Sequence, residues 1–386
     1  MKTIENVDVK GKKVLVRVDF NVPRKDGVIT DNTRIKSSLT TINYLTDRGA
    51  KVILMSHLGR VKSEEDMKEN SLRCVAEELT TLVKAPVYFS NNTKGEELDT
   101  MVNNLLEGEI LLIENTRYED YPSSLESSCD EKLSKYWAGL ADIFVLDAFG
   151  SAHRCHASTY GISKYIPSYA GFLVKSEVEM LDKAIKEKKT LILGGAKVDD
   201  KIGVINNLIG SSNKVLLGGA MCFTFLKANG VNVGKSIVSE ENIDYAKDVL
   251  KKYADKIVLP VDVVCENGIK DIDKLGNDDI GYDIGPKTVK LFEEKLKNEK
   301  LVLWNGPLGM YEEKKYENGT KDIMKYLEKS EAKTILAGGD VVASSTYFGV
   351  KLYYISTGGG STLEYLEGKK FKTLERLNGE VWKRYC

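Results

Sequence analysis

Short apolar runs recur along the whole chain with polar, helix-patterned stretches between them. They are Val14–Phe20, Val52–Met55, Ile110–Ile113, Ile143–Leu146, Leu191–Leu193, Val215–Leu217, Ile257–Val264, Leu301–Trp304, Thr334–Ala337 and Leu352–Ile355. None alternates strictly between apolar and polar, so each reads as a strand buried on both faces of a parallel sheet. Strands alternating with helical patterns predict a doubly wound α/β architecture. The series occurs twice without a low-complexity linker. The predicted break is Ile166–Gly171, which carries a Pro and a Gly just ahead of a helical pattern over Phe172–Lys186.

The ends of these strands hold the candidate chemistry, because open α/β sheets bind ligands beyond their carboxyl edges. In the first half the ends read Asp19-Phe20-Asn21, Ser56-His57-Leu58-Gly59-Arg60, Glu114-Asn115-Thr116-Arg117 and Asp147 through Arg154. In the second half they read Gly194-Gly195-Ala196-Lys197, Gly218-Gly219-Ala220, Trp304-Asn305-Gly306-Pro307, Ala337-Gly338-Gly339-Asp340 and Thr357-Gly358-Gly359-Gly360. Ser361 and Glu364 have capping-box spacing, which predicts a helix opening at that last loop.

Composition sharpens the contrast between the halves. Of ten arginines, eight precede residue 155, and every Gly-Gly pair follows residue 190. Guanidinium forks suit phosphates and carboxylates, whereas glycine turns let backbone N–H groups approach a phosphate chain or a flat ring. One half therefore reads as anion-binding and the other as nucleotide-binding, which suggests phosphoryl transfer between two ligands. At 386 residues two domains are expected. A net charge of −1 gives no global support to nucleic-acid or anionic-membrane binding. Six dispersed cysteines without a CxxC pair read as reduced cytosolic thiols. No run approaches a membrane span and the N-terminus shows no secretory h-region, so a cytoplasmic location is expected.

Individual candidates carry competing readings. Gly230–Ser236 resembles a P-loop but has one residue too few between its glycines and follows a helical stretch, so it reads as a plain loop. Lys197 and Lys201, four apart, are expected on one face at a helix start, where two cations oppose the dipole unless a phosphate lies between them. His57, His153 and His156 lie at strand ends beside arginines and lack metal-ligand spacing. Asp19 reads as a base, an arginine orienter or a helix cap, with Arg17 and Asn21 on the same side of the strand. Glu312 and Asp340 are the acidic candidates near the glycine loops, for a ribose hydroxyl and Mg²⁺.

Taken in order, Val16–Pro23, Ser56–Arg60, Glu114–Arg117, Asp147–Arg154, Leu193–Val198, Trp304–Gly309 and Ser356–Ser361 resemble the motifs of the phosphoglycerate kinase family across essentially the whole chain. The resemblance implies two Rossmann-like lobes, each with a doubly wound parallel sheet, and a cleft between them. Residues 1–170 would bind phosphoglycerate, 171–186 would form the interlobe helix, 187–372 would bind nucleotide, and a tail at 373–386 would return to the first lobe. By matching position, Asp19, Asn21, Arg34, His57, Arg60, Arg117 and Arg154 would hold 3-phosphoglycerate or 1,3-bisphosphoglycerate. Lys201, Gly281, Glu312, Gly338, Gly339, Asp340 and Val341 would hold ATP or ADP, with Asp340 on Mg²⁺. Arg34, Lys197, Gly358 and Gly359 would serve the transfer itself. The family also implies a hinge-bending monomer, and the hinge candidates are Pro167–Gly171, ahead of the Phe172–Lys186 helix, and the crossing back to the first lobe near Gly368–Thr373. The sequence departs from the family pattern at Val61, Ala220, Ala337 and Val341, and it lacks Leu-Pro-Gly near Phe371–Leu374. Two rival readings compete with this one. A nicotinamide oxidoreductase lacks its GxGxxG fingerprint here. A non-catalytic or weakened paralogue acting as a binding module would rest on Ala337 and Val341.

Overall fold

A computed structural model describes residues 1–379. Two units divide the chain: Met1–Val178 together with the chain from Lys370 onward, and Glu179–Lys369. The division falls within the helix Phe172–Lys186. The part of the returning tail at 380–386 lies outside the described residues.

The first unit is built on a six-stranded parallel sheet ordered Val87–Phe89, Ile110–Leu112, Lys51–Met55, Lys13–Val18, Ile143–Asp147, Ser168–Ala170. The central strands are buried on both faces, as their unbroken apolar runs demand; all five residues of Ile143–Asp147 are buried. The two edge strands, Val87–Phe89 and Ser168–Ala170, escaped the sequence reading. Each is three residues long and follows a proline, Pro86 and Pro167, which fits an edge because proline removes a ladder donor. A small hairpin, Arg24–Lys25 with Val28–Ile29, also belongs to this unit. The described end of the tail packs here: Arg376 Nε donates to Ser163 O at 3.0 Å, Thr373 Oγ1 donates to Ala152 O, and the Phe371 ring lies 6.1 Å from that of Phe149.

Gly171 is closely packed against Asp147. Its φ is not positive, and an added Cβ would stand 2.2 Å from Asp147 Oδ1. Glycine is needed there for close approach, not for dihedral freedom. Asp147 reaches past it to accept from the N–H groups of Leu173 and Val174 at 2.9 and 3.3 Å, capping the helix from a distant strand end. Proline at Gly171 would also remove the bond from its N–H to Leu146 O, so that substitution would report on folding, not on a hinge.

The second unit carries a six-stranded parallel sheet ordered Ile257–Val258, Ser212–Leu217, Lys189–Leu193, Leu301–Asn305, Lys333–Leu336, Tyr354–Ile355. The run predicted as one strand over Ile257–Val264 is broken at Pro260. Its second part, Asp262–Cys265, pairs antiparallel with Gly268–Asp271 and Gly281–Ile284 in a separate three-stranded sheet. One face of the main sheet packs Ile192, Trp304, Leu336 and Phe292 into a fully buried core.

Candidate active site

The first unit's cluster grows from the end of the central strand Lys13–Val18. Asp19 is 6% exposed and accepts from Arg34 NH1 at 2.6 Å. Burial works to raise its pKa, but Arg34, then His57 and Arg17, hold its carboxyl below the ordinary range. Asp19 also accepts from Asn21 N at 3.2 Å. Asn21 accepts from Gly59 N at 2.9 Å, tying the first strand end to the second. Arg117 donates from NH1 to Asp120 at 2.7 Å and keeps its Nε buried without a hydrogen-bond partner. Arg60 and Arg154 are exposed; the Arg154 Nε lies 2.9 Å from His153 Nε2, and the Arg60 guanidinium has no partner among the described residues. His57 and His156 are each pushed down to about 3, by burial first and then by neighbouring arginines. Two histidines held neutral by burial, with arginines adding to the effect, stand beside a concentration of guanidinium groups, which suits an anion.

Behind this cluster lies a second layer, of which the sequence marked Arg17 but not Ser158 or Glu126. Arg17, 1% exposed, donates from Nε to Ser158 Oγ at 2.9 Å and lies 3.1 Å from His57 Nδ1 through NH2. Ser158 in turn donates to Glu126, from N to Oε2 at 2.9 Å and from Oγ to Oε1. Glu126 is fully buried and far from any strand end in sequence, so no local pattern marks it.

The second unit's glycine turns divide into two kinds. Gly194, Gly195, Gly218 and Gly219 all donate their N–H groups to neighbouring carbonyls: Asn305 O, Pro307 O, Leu193 O and Leu308 O, at 2.8–2.9 Å. A Cβ on Gly194 would stand 2.1 Å from Pro307 O, and one on Gly306 2.3 Å from Gly194 O. These glycines allow three strand ends to pack backbone against backbone, and their N–H groups are not offered to a ligand, contrary to the expectation for glycine pairs. Gly338–Gly339 and Gly358–Gly360 are different. Gly338, φ +107, caps the helix Gly339–Phe348, and Gly359, φ +57, caps Gly360–Leu366. Neither cap has a side-chain bond, and added Cβ atoms at Gly339, Gly359 and Gly360 would meet open space. The N–H groups at these helix starts suit an anion. Ser361 is not the cap expected from its spacing. It lies inside the helix and its Oγ donates to Gly358 O at 2.8 Å.

The side chains near these turns are unevenly placed. Helix Asp199–Leu208 begins after Lys197, so Lys197 and Lys201 do not share a helical face, and Asp199 and Asp200 complement the dipole. Lys197 is exposed and has no partner among the described residues. Lys201 is 8% exposed, without a hydrogen bond or ion pair there. Burial lowers its pKa, while Asp200, Asp340 and Glu367 pull it back. Glu312 and Asp340 are exposed. Gly281 sits under the Phe223 ring, with room for no Cβ, and donates to Ser236 Oγ at 3.0 Å. Val341 is fully buried in the apolar core. Asn305, which the sequence reading left without a role, donates through Nδ2 to Ala337 O and holds Oδ1 buried without a partner beneath Gly338.

Fold and clusters define a class: a two-unit parallel α/β protein with an arginine-built anion cradle on one unit and open helix starts beside lysines on the other. A family model described as phosphoglycerate kinase matches residues 4–369, and the chain belongs to that family. It is 48% identical over 392 residues to a phosphoglycerate kinase of Enterococcus faecalis, covering 98% of this chain and 99% of that one. A Fusobacterium nucleatum phosphoglycerate kinase is likewise 48% identical, over 396 residues and with 98% and 100% covered. Among solved structures, phosphoglycerate kinase from Coxiella burnetii superposes with a TM-score of 0.87 at 34% identity, covering 98% of this chain and 99% of that one. The Pyrococcus horikoshii enzyme gives 0.86 at 30%, covering 99% and 100%.

Proposed function

We propose that this protein catalyses reversible phosphoryl transfer between ATP and the carboxylate of 3-phosphoglycerate, the glycolytic step that joins ADP and 1,3-bisphosphoglycerate to those two products. The observation that carries the reading is positive charge without an ion pair among the described residues at both clusters: Arg60 in the first unit, Lys197 and Lys201 in the second. Asp19, Asn21, Arg34, His57, Arg60, Arg117 and Arg154 bind phosphoglycerate. Lys201, Gly281, Glu312, Gly338, Gly339, Asp340 and the backbone of Val341 bind the nucleotide.

The acceptor carboxylate is already ionised at neutral pH, so no general base is required. Catalysis reduces to in-line positioning and charge neutralisation. Arg34, fixed by Asp19, orients the carboxylate. Lys197 and the helix start at Gly358 and Gly359 meet the charge on the moving phosphoryl. Asp340, in the first turn of its helix, is exposed and without an ion pair among the described residues. That suits Mg²⁺, which one or two carboxylates hold together with substrate phosphates. When bound, the ion neutralises phosphate charge. Transfer needs reacting atoms within about 3–3.5 Å, and we assign that approach to hinge closure in a cytoplasmic monomer. No helix among the described residues is long and apolar enough to cross a membrane.

The binding-module alternative rested on Ala337 and Val341. Both side chains are fully buried and so do not line the cradle. A coupled assay with ATP, Mg²⁺ and 3-phosphoglycerate tests the proposal; turnover independent of 3-phosphoglycerate would sink it.

A further inference from the structure

The anion cradle contains a chain of hydrogen bonds that ends on His57, and the direction of each bond follows from donor chemistry. A guanidinium donates and never accepts. Arg17 NH2, 3.1 Å from His57 Nδ1, therefore requires an unprotonated Nδ1. Arg17 is kept in that pose by its other donors: NH1 to Val18 O, and Nε to Ser158 Oγ at 2.9 Å. The Ser158 hydroxyl has one proton, which goes to Glu126 Oε1, leaving a lone pair for Arg17. Glu126 accepts a second time, from Ser158 N at 2.9 Å. Arg17, Ser158 and Glu126 are each no more than 1% exposed, so water cannot substitute for a missing member. His57 itself is only part-buried, and its Nε2 has no partner among the described residues.

We propose that Glu126, Ser158 and Arg17 form a buried relay that locks His57 as the neutral Nε2–H tautomer, so that His57 meets phosphoglycerate as a fixed, uncharged hydrogen-bond donor. Glu126 and Ser158 are then positioning residues, acting on the ligand through Arg17 and His57. The charges facing His57 agree: Arg17, Arg117 and Arg34 oppose its protonation, and only Asp19 favours it. Around Glu126, burial pushes the carboxyl above the ordinary range, Arg17 and the two Ser158 bonds work against it, and Asp120 adds to it; the His156 Nδ1 lies 3.9 Å from Oε1. This proposal rests on the reading of the cradle as the phosphoglycerate site.

The test is a long-range proton–nitrogen NMR correlation on the full chain with labelled histidine. The three histidines are assigned by comparing spectra with and without His57→Gln. The His57 pattern should be that of an Nε2–H ring, unchanged over about pH 5–8. An Nδ1–H pattern, or a midpoint near the ordinary value of about 6.5, overturns the relay. Ser158→Ala removes the Arg17 acceptor and retains the backbone bond to Glu126. In that variant His57 should begin to titrate, and the ratio of its KM for 3-phosphoglycerate to the parent's should fall about tenfold as pH drops, as a neutral donor gains charge. A ratio independent of pH overturns the assignment of Ser158. If Ser158→Ala does not fold, Glu126→Gln is read in the same way, and the parent spectrum decides the tautomer by itself. A locked His57 in a chain without phosphoglycerate-dependent turnover would sink the functional reading alone. A titrating His57 in an active enzyme would sink the relay alone.

Discussion

The two units place their candidate sites at the same position, the carboxyl edge of a parallel sheet, and build them from different materials. In the first unit the strand ends carry side chains. Asp19, Asn21, Arg117 and their neighbours are held by hydrogen bonds, charged at Asp19 and Arg117 and neutral at Asn21, supported from behind by the buried set of Arg17, Ser158 and Glu126. In the second unit the strand ends carry glycines, and half of them serve packing. Gly194, Gly195, Gly218 and Gly219 bond to neighbouring loops so that the helix starts at Gly338–Gly339 and Gly358–Gly360 are left open. A site built from side chains can lose one contact at a time. A site built from packed backbone loses its scaffold when a single methyl group intrudes.

The largest effect expected on this contrast is at Lys197. It lies outside the helix and pairs with nothing among the described residues, so Lys197→Ala should leave stability unchanged and lower kcat by roughly 10²–10³ with little change in either KM. A kcat within a few-fold of the parent would remove it from the reaction. Next is Gly306→Ala. The new Cβ would combine a φ of +83 with a contact of 2.3 Å to Gly194 O, and unfolding in urea should show a loss of about 3 kcal/mol. An unperturbed midpoint would mean that the strand-end packing is soft.

Arg60→Ala should weaken phosphoglycerate binding by about 1.5–3 kcal/mol, the range for a bond to a charged group, and spare the nucleotide. Separate calorimetric titrations decide this, and equal losses for both ligands would erase the distinction between the two clusters. Val341→Thr should cost about 1–2 kcal/mol of stability, because its hydroxyl would enter the apolar core around Trp304 and Leu336. Tighter nucleotide binding with full stability would show that the side chain faces outward. The smallest effect should come from Gly339→Ala, where a Cβ meets open space and φ is ordinary. Stability should stay within about 0.5 kcal/mol, and any change should appear in nucleotide affinity. A large loss of stability would contradict the division of the glycines into packed and open kinds.

The sequence by itself determined the parallel sheets, since unbroken apolar runs such as Ile143–Leu146 can only be satisfied by burial on both faces. It also located the charged strand ends, because Asp19, His57, Arg117, Lys197 and Asp340 each follow such a run. It missed strands too short to carry a period, Val87–Phe89 and Ser168–Ala170, and it ran through Pro260 where the chain changes sheets. It placed a helix start at the last glycine loop, where the cap is Gly359 and not Ser361, and it misread the glycine pairs at Gly194 and Gly218, where composition is the same whether the need is a positive φ, a close approach or an open N–H. Only tertiary structure decided which need applied, because the atoms that fill the space beside each glycine come from residues far along the chain: Asp147 beside Gly171, Pro307 beside Gly194. For the same reason Glu126 was invisible. A carboxylate 109 positions after the arginine whose pose it supports leaves no local signal, and its role exists only once the fold has excluded the water that would otherwise take its place.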